Sequence, residues 1–227
     1  VGSNPVTVHD AALKGADMSK DLKSVQDDLA FLRGLAEGSQ ERGGLGVAGG
    51  ALYGAAGLLY GLQSLIYVVQ ERGLIGLGGL GNLILAWAPT VIFLVLMTIV
   101  IIKDRKSPQR GVTNRAVNAA FQATGVANLA LIIVFAAAAS RHKDFHYWLF
   151  HPAVVFILQG AVWQVIYVLR RRMWMLIVAL GWLVSGVAMG LLIERADLYL
   201  MIASFGLFAF MAAPGFYMMR QAMRSAA

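Results

Sequence analysis

No cysteine occurs among the 227 residues, which excludes disulfides, iron–sulfur ligation and thiol catalysis and leaves the redox compartment undetermined. Charge is scarce too. Asp, Glu, Lys and Arg make up 14% of the chain, against about 25% in a typical soluble domain. With 59% hydrophobic residues, too little polar material remains to cover a globule. A cleavable signal is not expected, because the first forty residues are polar and the first apolar run is a full span without a small-residue cleavage site. The reading of residues 1–18 is a disordered or non-native leader, with Met18 the expected initiator.

What is lacking inside the apolar runs bears most directly on function. No Asp, Glu, Lys or Arg falls within them. Intramembrane ionisable groups mark proton relays and ion paths, so the usual apparatus of proton-coupled transport, metallohydrolysis and carboxylate acid–base catalysis is not expected. G-x-S-x-G and H-E-x-x-H are absent as well. The expectation is a non-enzymatic protein.

Six runs of about twenty apolar residues are present, each able to cross a hydrocarbon core about 30 Å thick. They read as Leu45–Val69, Leu83–Ile102, Ala116–Ala139, Tyr147–Leu169, Met173–Ile193 and Leu198–Met219. The predicted fold is therefore all-α: a polytopic membrane protein with a six-helix bundle over 45–219 and a cytoplasmic tail over 220–227. The net charge of +7 reflects topology rather than a nucleic-acid partner. The basic residues gather in the N-terminal segment, after the second run, at Arg170–Arg172 and at the C-terminus. The three alternate loops hold only Arg72, Arg141 with Lys143, and Arg195. By the positive-inside rule both termini are expected to be cytoplasmic, and the composition suits a bacterial inner membrane, with lipid as the surroundings.

Outside the bundle, residues 19–38 predict one amphipathic cytoplasmic helix. Leu22, Val25, Leu29, Leu32 and Ala36 follow helical spacing on one stripe, with Ser19 as N-cap. Its polar face balances Lys20, Lys23 and Arg33 against Asp21, Asp27, Asp28 and Glu37, so anionic lipid gains little from it. Protein is the better partner: a second copy, another membrane subunit, or its own bundle.

Glycine supplies a second candidate contact. Gly50, Gly54, Gly57 and Gly61 share one face of the first span, and Gly186 and Gly190 one face of the fifth. Small residues let membrane helices approach closely, either within the bundle or against a partner. A faint repeat runs through the spans: Tyr53-x-x-x-Gly57, Phe121-x-x-x-Gly125 and Trp182-x-x-x-Gly186 in the odd ones, with Trp87-x-Pro89 and Phe150-x-Pro152 in the even ones. It suggests three related helical hairpins. The glycines of GLIGLGGLGNLI, ahead of the second span, read as packing positions or as a loosened helix start.

Two polar constellations remain. Asn114, Asn118 and Gln122 recur every four residues on the third span. They either hydrogen-bond to neighbouring helices, with Gln159 and Gln164 of the fourth span as partners, or line a path for a small uncharged solute. The stretch HKDFHYWLFHP, His142 to Pro152, offers His142, Asp144, His146 and His151 as metal ligands. Haem would need an axial histidine inside the bundle, and no other span contains one. On one continuous helix His146 and His151 point about 140° apart, so a metal site needs a break near Pro152. The competing reading is an interfacial aromatic belt of Tyr147, Trp148 and Phe150, with Pro152 at the first helical position and no cofactor.

The functional expectation is an accessory, scaffold or regulatory subunit that binds a partner or a second copy through Leu22, Val25, Leu29, Leu32, Gly54, Gly57 and Gly61. A facilitative transporter or channel using the span-three amides is the alternative, and metal or haem binding at the outer face the third.

Overall fold

The computed structural model describes residues 25–32, 46–104 and 112–226, every regular element of which is helical. The leader over 1–18 lies outside the described residues, as do Leu22 and Ala36 of the N-terminal stripe. A short helix, α1, covers 25–32, with Val25, Leu29, Phe31 and Leu32 all exposed.

The remainder consists of α2 (Gly46–Glu71), α3 (Gly79–Asp104), α4 (Val112–His142), α5 (His146–Arg170), α6 (Met173–Leu191) and a last rod. That rod is α7 (Ala196–Gly206), a π-helical segment (Leu207–Ala212) and α8 (Ala213–Ala226) in direct succession. Counting the rod once, six helices are long and apolar enough to cross a membrane. The architecture fits a multi-pass membrane protein.

The ends follow from local chemistry. α2 stops in a Schellman turn: Gly73 adopts φ 69°, its N–H reaches Gln70 O at 2.8 Å, and Leu74 N–H reaches Val69 O at 3.1 Å. A left-handed residue is needed there, and glycine takes that conformation without a Cβ penalty. α5 ends on Arg171, also left-handed at φ 53°, which turns the chain into α6 within two residues.

The packed centre is built by α2, α5, α6 and the last rod, around Tyr53, Phe156, Trp163, Met175, Trp182, Met189 and Tyr199. α3 leans on α2 and α4 on α5, and both are exposed over most of their length. Gly50, at the start of α2, lies against Met219 near the end of α8, so the first span begins beside the end of the last.

Glycine decides how α2 meets the rod. A Cβ on Gly57 would stand 2.8 Å from Ala212 Cα and 2.9 Å from Leu207 O, and one on Gly215 would run into the backbone of Gly54. Phe216 covers Gly54 and Phe208 covers Gly61. The glycine face of α2 is therefore filled from within the chain, which removes Gly54, Gly57 and Gly61 from the surface open to a partner. Gly186 is likewise closed by α5, where it meets Ile157 and Ala153 O, whereas Gly125 and Gly190 meet nothing. The repeat thus places Gly57 and Gly186 in close contacts and Gly125 in none. Ahead of α3, Gly76, Gly78 and Gly79 also meet nothing. Their expected packing role is not what is found: they lie in an open turn, and the helix starts at Gly79, four residues earlier than hydropathy alone placed it.

Among the described residues three prolines lie inside the long apolar helices, and for two of them the carbonyl left without an N–H is met by a donor from another helix. Proline has no N–H and displaces the carbonyl four residues earlier. For Pro89 that carbonyl is Leu85, and Gln63 Nε2 of α2 donates to it at 2.9 Å. For Pro214 it is Phe210, which accepts from the Trp182 indole of α6 at 3.0 Å. For Pro152 it is Trp148; the interhelix bond nearby, from the Tyr199 hydroxyl at 2.7 Å, goes to the next carbonyl, Leu149 O. Pro152 is not the first helical residue, as the aromatic-belt reading has it, because α5 starts at His146. Without water nearby, a freed carbonyl must find protein, so Pro89 and Pro214 each tie two helices together.

Candidate functional site

The aromatic layer at the centre is closed to ligands. Trp163 is fully buried and donates its indole N–H to the Tyr53 hydroxyl at 2.8 Å; that hydroxyl in turn donates to Gln159 Oε1 at 3.3 Å. Phe121 of α4 completes the layer, edge-on to Tyr53 at 5.5 Å and to Trp163 at 6.4 Å. Its polar atoms satisfy one another, so Gln159 braces a tyrosine rather than facing a solute.

The expected amide row divides between two directions. Along α4, Val117, Phe121, Thr124 and Asn128 recur at helical spacing and turn towards the bundle: Val117 and Thr124 are buried, and Asn128 Oδ1 lies 2.9 Å from His151 Nε2. Asn114 joins the packed side, accepting from Arg170 at 2.6 Å. Asn118, Gln122, Gly125 and Leu129 lie about 100° further round the helix and form the outward side. Gln122 and Gly125 are exposed, Leu129 is 64% exposed, and Asn118 is half-buried. Gln164 is exposed on α5. No common channel gathers these amides.

The outward face of α4 is chemically unlike that of α3. Exposed α3 positions include Leu83, Ile84, Trp87, Val91, Ile92, Leu94, Val95, Thr98 and Ile99; the Thr98 hydroxyl donates to Leu94 O of its own helix at 2.8 Å, and exposed Asn82, in the first turn, is engaged by Gln70 and Leu77 O. Such a face suits lipid. Gln122 sits about 15 Å along α4 from its first residue, within the apolar layer, and its amide carries two donors and an acceptor. Hydrocarbon satisfies none of them. Beside it Gly125 leaves open space for another backbone.

The histidines of the stretch from His142 to Pro152 separate. His142 stacks on Tyr147 at 4.6 Å and His151 on Trp148 at 5.1 Å, while His151 turns inward to Asn128. Only His146 meets Asp144, at 2.8 Å through Nδ1, with Glu194 3.8 Å from its Nε2. Among the described residues no three His, Cys, Asp or Glu side chains gather as metal ligands. The constellation of His142, Asp144, His146 and His151 is thus a correction to the sequence reading: α5 runs unbroken through Pro152, so His151 is carried away from the loop. The Asn128 partner left no signal in the sequence beyond its helical register with Phe121.

Asp144 instead ties the turn before α5. Its Oδ1 accepts the His146 backbone N–H at 2.9 Å as well as the ring, which holds its carboxyl below the usual carboxylate range. A depressed folded-state value makes this tie present above the ordinary carboxylate pKa and lost as pH falls through the lowered one. Hydrogen exchange at the His146 amide, taken relative to the unprotected rate at the same pH, is expected to be slow at neutral pH and to approach that rate only in the acid window. In Asp144→Ala it is expected to be fast throughout.

The fold and this face define an all-helical chain with six helices long and apolar enough to cross a membrane and an exposed amide on the outward side of α4. No protein-family model matches the chain, and neither the curated proteins nor the solved structures yielded a similar one.

Proposed function

We propose that the chain is a non-enzymatic subunit of a bacterial inner membrane, both termini cytoplasmic, that mates with a membrane-protein partner or a second copy of itself through the outward face of α4. The observation that carries this reading is Gln122 exposed in the apolar layer, with Asn118 one turn before it and the open Gly125 nearly one turn after. A neighbouring helix supplies what lipid lacks: hydrogen-bonding groups at the right depth, and a backbone that approaches over glycine. An amide both donates and accepts, so the face is complementary to its own copy. The exposed Val25, Leu29 and Leu32 of α1 offer a second contact outside the apolar layer. A solute path has less support, because Asn114 and Gln159 are engaged by Arg170 and Tyr53 while Gln122 and Gln164 point outward.

The absence of cysteine makes the test clean. Single cysteines placed at Gln122, Gly125 or Leu129 are expected to cross-link in native membranes, and one at Val95 on α3 is not. Gln122→Leu is expected to weaken association roughly threefold to tenfold, the range for one interhelical hydrogen bond of about 0.6–1.5 kcal/mol. Equal cross-linking from α3 and α4, or a lone monomer in native mass spectra of untagged protein, would overturn the reading.

A further inference from the structure

A second surface lies at the arginine-rich end of the bundle, and it depends on neither the partner reading nor the membrane orientation. α6 begins directly after Arg170–Arg171–Arg172, and its first turn meets α8 through Trp174 and Tyr217, edge to face at 5.3 Å. Elsewhere α6 packs on α7 and the π segment rather than along α8. Beside this contact a crevice of about 360 Å³ opens, lined by Trp174, Ala209, Ala213, Pro214 and Tyr217.

The lining follows from the sequence. The π segment widens the rod where Ala209 lies, and Ala213 and Pro214 add no bulk, so three small side chains form the floor. Trp174 and Tyr217 form the walls. The Trp174 indole N–H is buried without an acceptor, unlike those of Trp163 and Trp182, and Tyr217 is 52% exposed.

Two arginines stand at this end of the two helices: Arg172 immediately ahead of α6, two residues before Trp174, and Arg220 three residues after Tyr217 and so on the same face of α8. Arg172 is half-buried and Arg220 exposed, and among the described residues neither has a carboxylate partner. An apolar cleft, aromatic rings at its mouth and two guanidiniums beyond them match one amphiphile in order: acyl chain, glycerol esters, phosphate. A zwitterionic lipid carries a compensating ammonium, and a free phosphate has no use for the cleft. We propose that this crevice holds one anionic phospholipid, its phosphate between Arg172 and Arg220 and an acyl chain between α6 and α8.

The test is native mass spectrometry of the delipidated full chain given phosphatidylglycerol or phosphatidylcholine with identical acyl chains. One phosphatidylglycerol is expected to remain bound, and phosphatidylcholine is not. Arg172→Gln and Arg220→Gln are each expected to weaken retention about fivefold, the effect of one basic residue near an anionic headgroup. Ala213→Phe, which fills the cleft from an exposed helix position, is expected to abolish retention, while Leu180→Phe on the lipid-facing side of α6 leaves it unchanged. Equal retention of both lipids, or full retention by Ala213→Phe, overturns the proposal. Displacement of the lipid by inorganic phosphate at equal concentration also overturns it, in favour of a bare anion site. Should Ala213→Phe fail to fold, the combined Arg172→Gln and Arg220→Gln variant decides: retention equal to the parent's overturns the assignment.

Discussion

Gly57→Val is expected to destabilise the bundle by about 3 kcal/mol or more, the upper part of the range for overpacking. A Cβ there would press on Ala212 and Leu207, and the atoms it meets are backbone N, Cα and O rather than the tip of a side chain that swings aside. Relief would require α2 and the rod to separate. That separation would also stretch the bond from the Ser204 hydroxyl to Gly61 O, 3.1 Å and buried. Association of helices in lipid gains little from the hydrophobic effect and depends on close van der Waals contact, so a wedge at the closest approach removes much of what holds the pair. Reversible unfolding by titration with a denaturing detergent measures the loss. Gly190→Ala is the control: its Cβ meets nothing, alanine favours helix over glycine by about 1 kcal/mol, and stability is expected to hold or rise. A Gly57→Val protein as stable as the parent would mean that the rod does not approach α2 as described.

Trp182→Phe is expected to cost about 1–3 kcal/mol through one carbonyl. Phenylalanine keeps an aromatic ring against Phe156, whose centroid lies 4.5 Å from that of Trp182, but removes the N–H that Phe210 O accepts. Pro214 cannot replace it. The part-buried carbonyl then loses this donor, in a π segment whose neighbouring bonds are already out of α register. The decisive experiment is a cycle with Pro214→Ala, which restores an N–H four residues after Phe210. In that background Trp182→Phe is expected to cost less by about 1 kcal/mol, a coupling typical of groups that share a partner. Additive losses would assign Trp182 a packing role alone.

Much of the architecture was legible in the chain because each span is an independent solution to one constraint. A helix satisfies its own backbone, and twenty apolar residues cross the bilayer whatever their neighbours are. The six spans were therefore placed from hydropathy, and the Gly73 turn and the Arg170–Arg172 junction fell between them. Boundaries drifted where composition and hydrogen bonding disagree. α3 starts at Gly79 because an open turn needs no packing, and α4 runs to His142 because a helix continues past its apolar stretch until its last carbonyls are capped or hydrated.

Pairing between helices could not be read in the same way. Nothing in the sequence said that Gly57 meets Ala212, that Asn128 meets His151, or that Gln63 and Trp182 complete carbonyls freed by prolines on other helices. Each of these depends on which helix faces which, a choice among several arrangements of similar apolar surface. The histidine stretch shows the same limit: four ligand-type residues lay close along the chain, and a continuous α5 spread them over different faces. The sequence by itself determined the number of spans, the scarcity of charge within them and the amides on α4, since these are properties of single segments in an apolar solvent. Only the tertiary structure decided that the glycines of α2 are occupied while Gln122 and Gly125 are left open, because exposure is a relation between helices and no segment carries it alone.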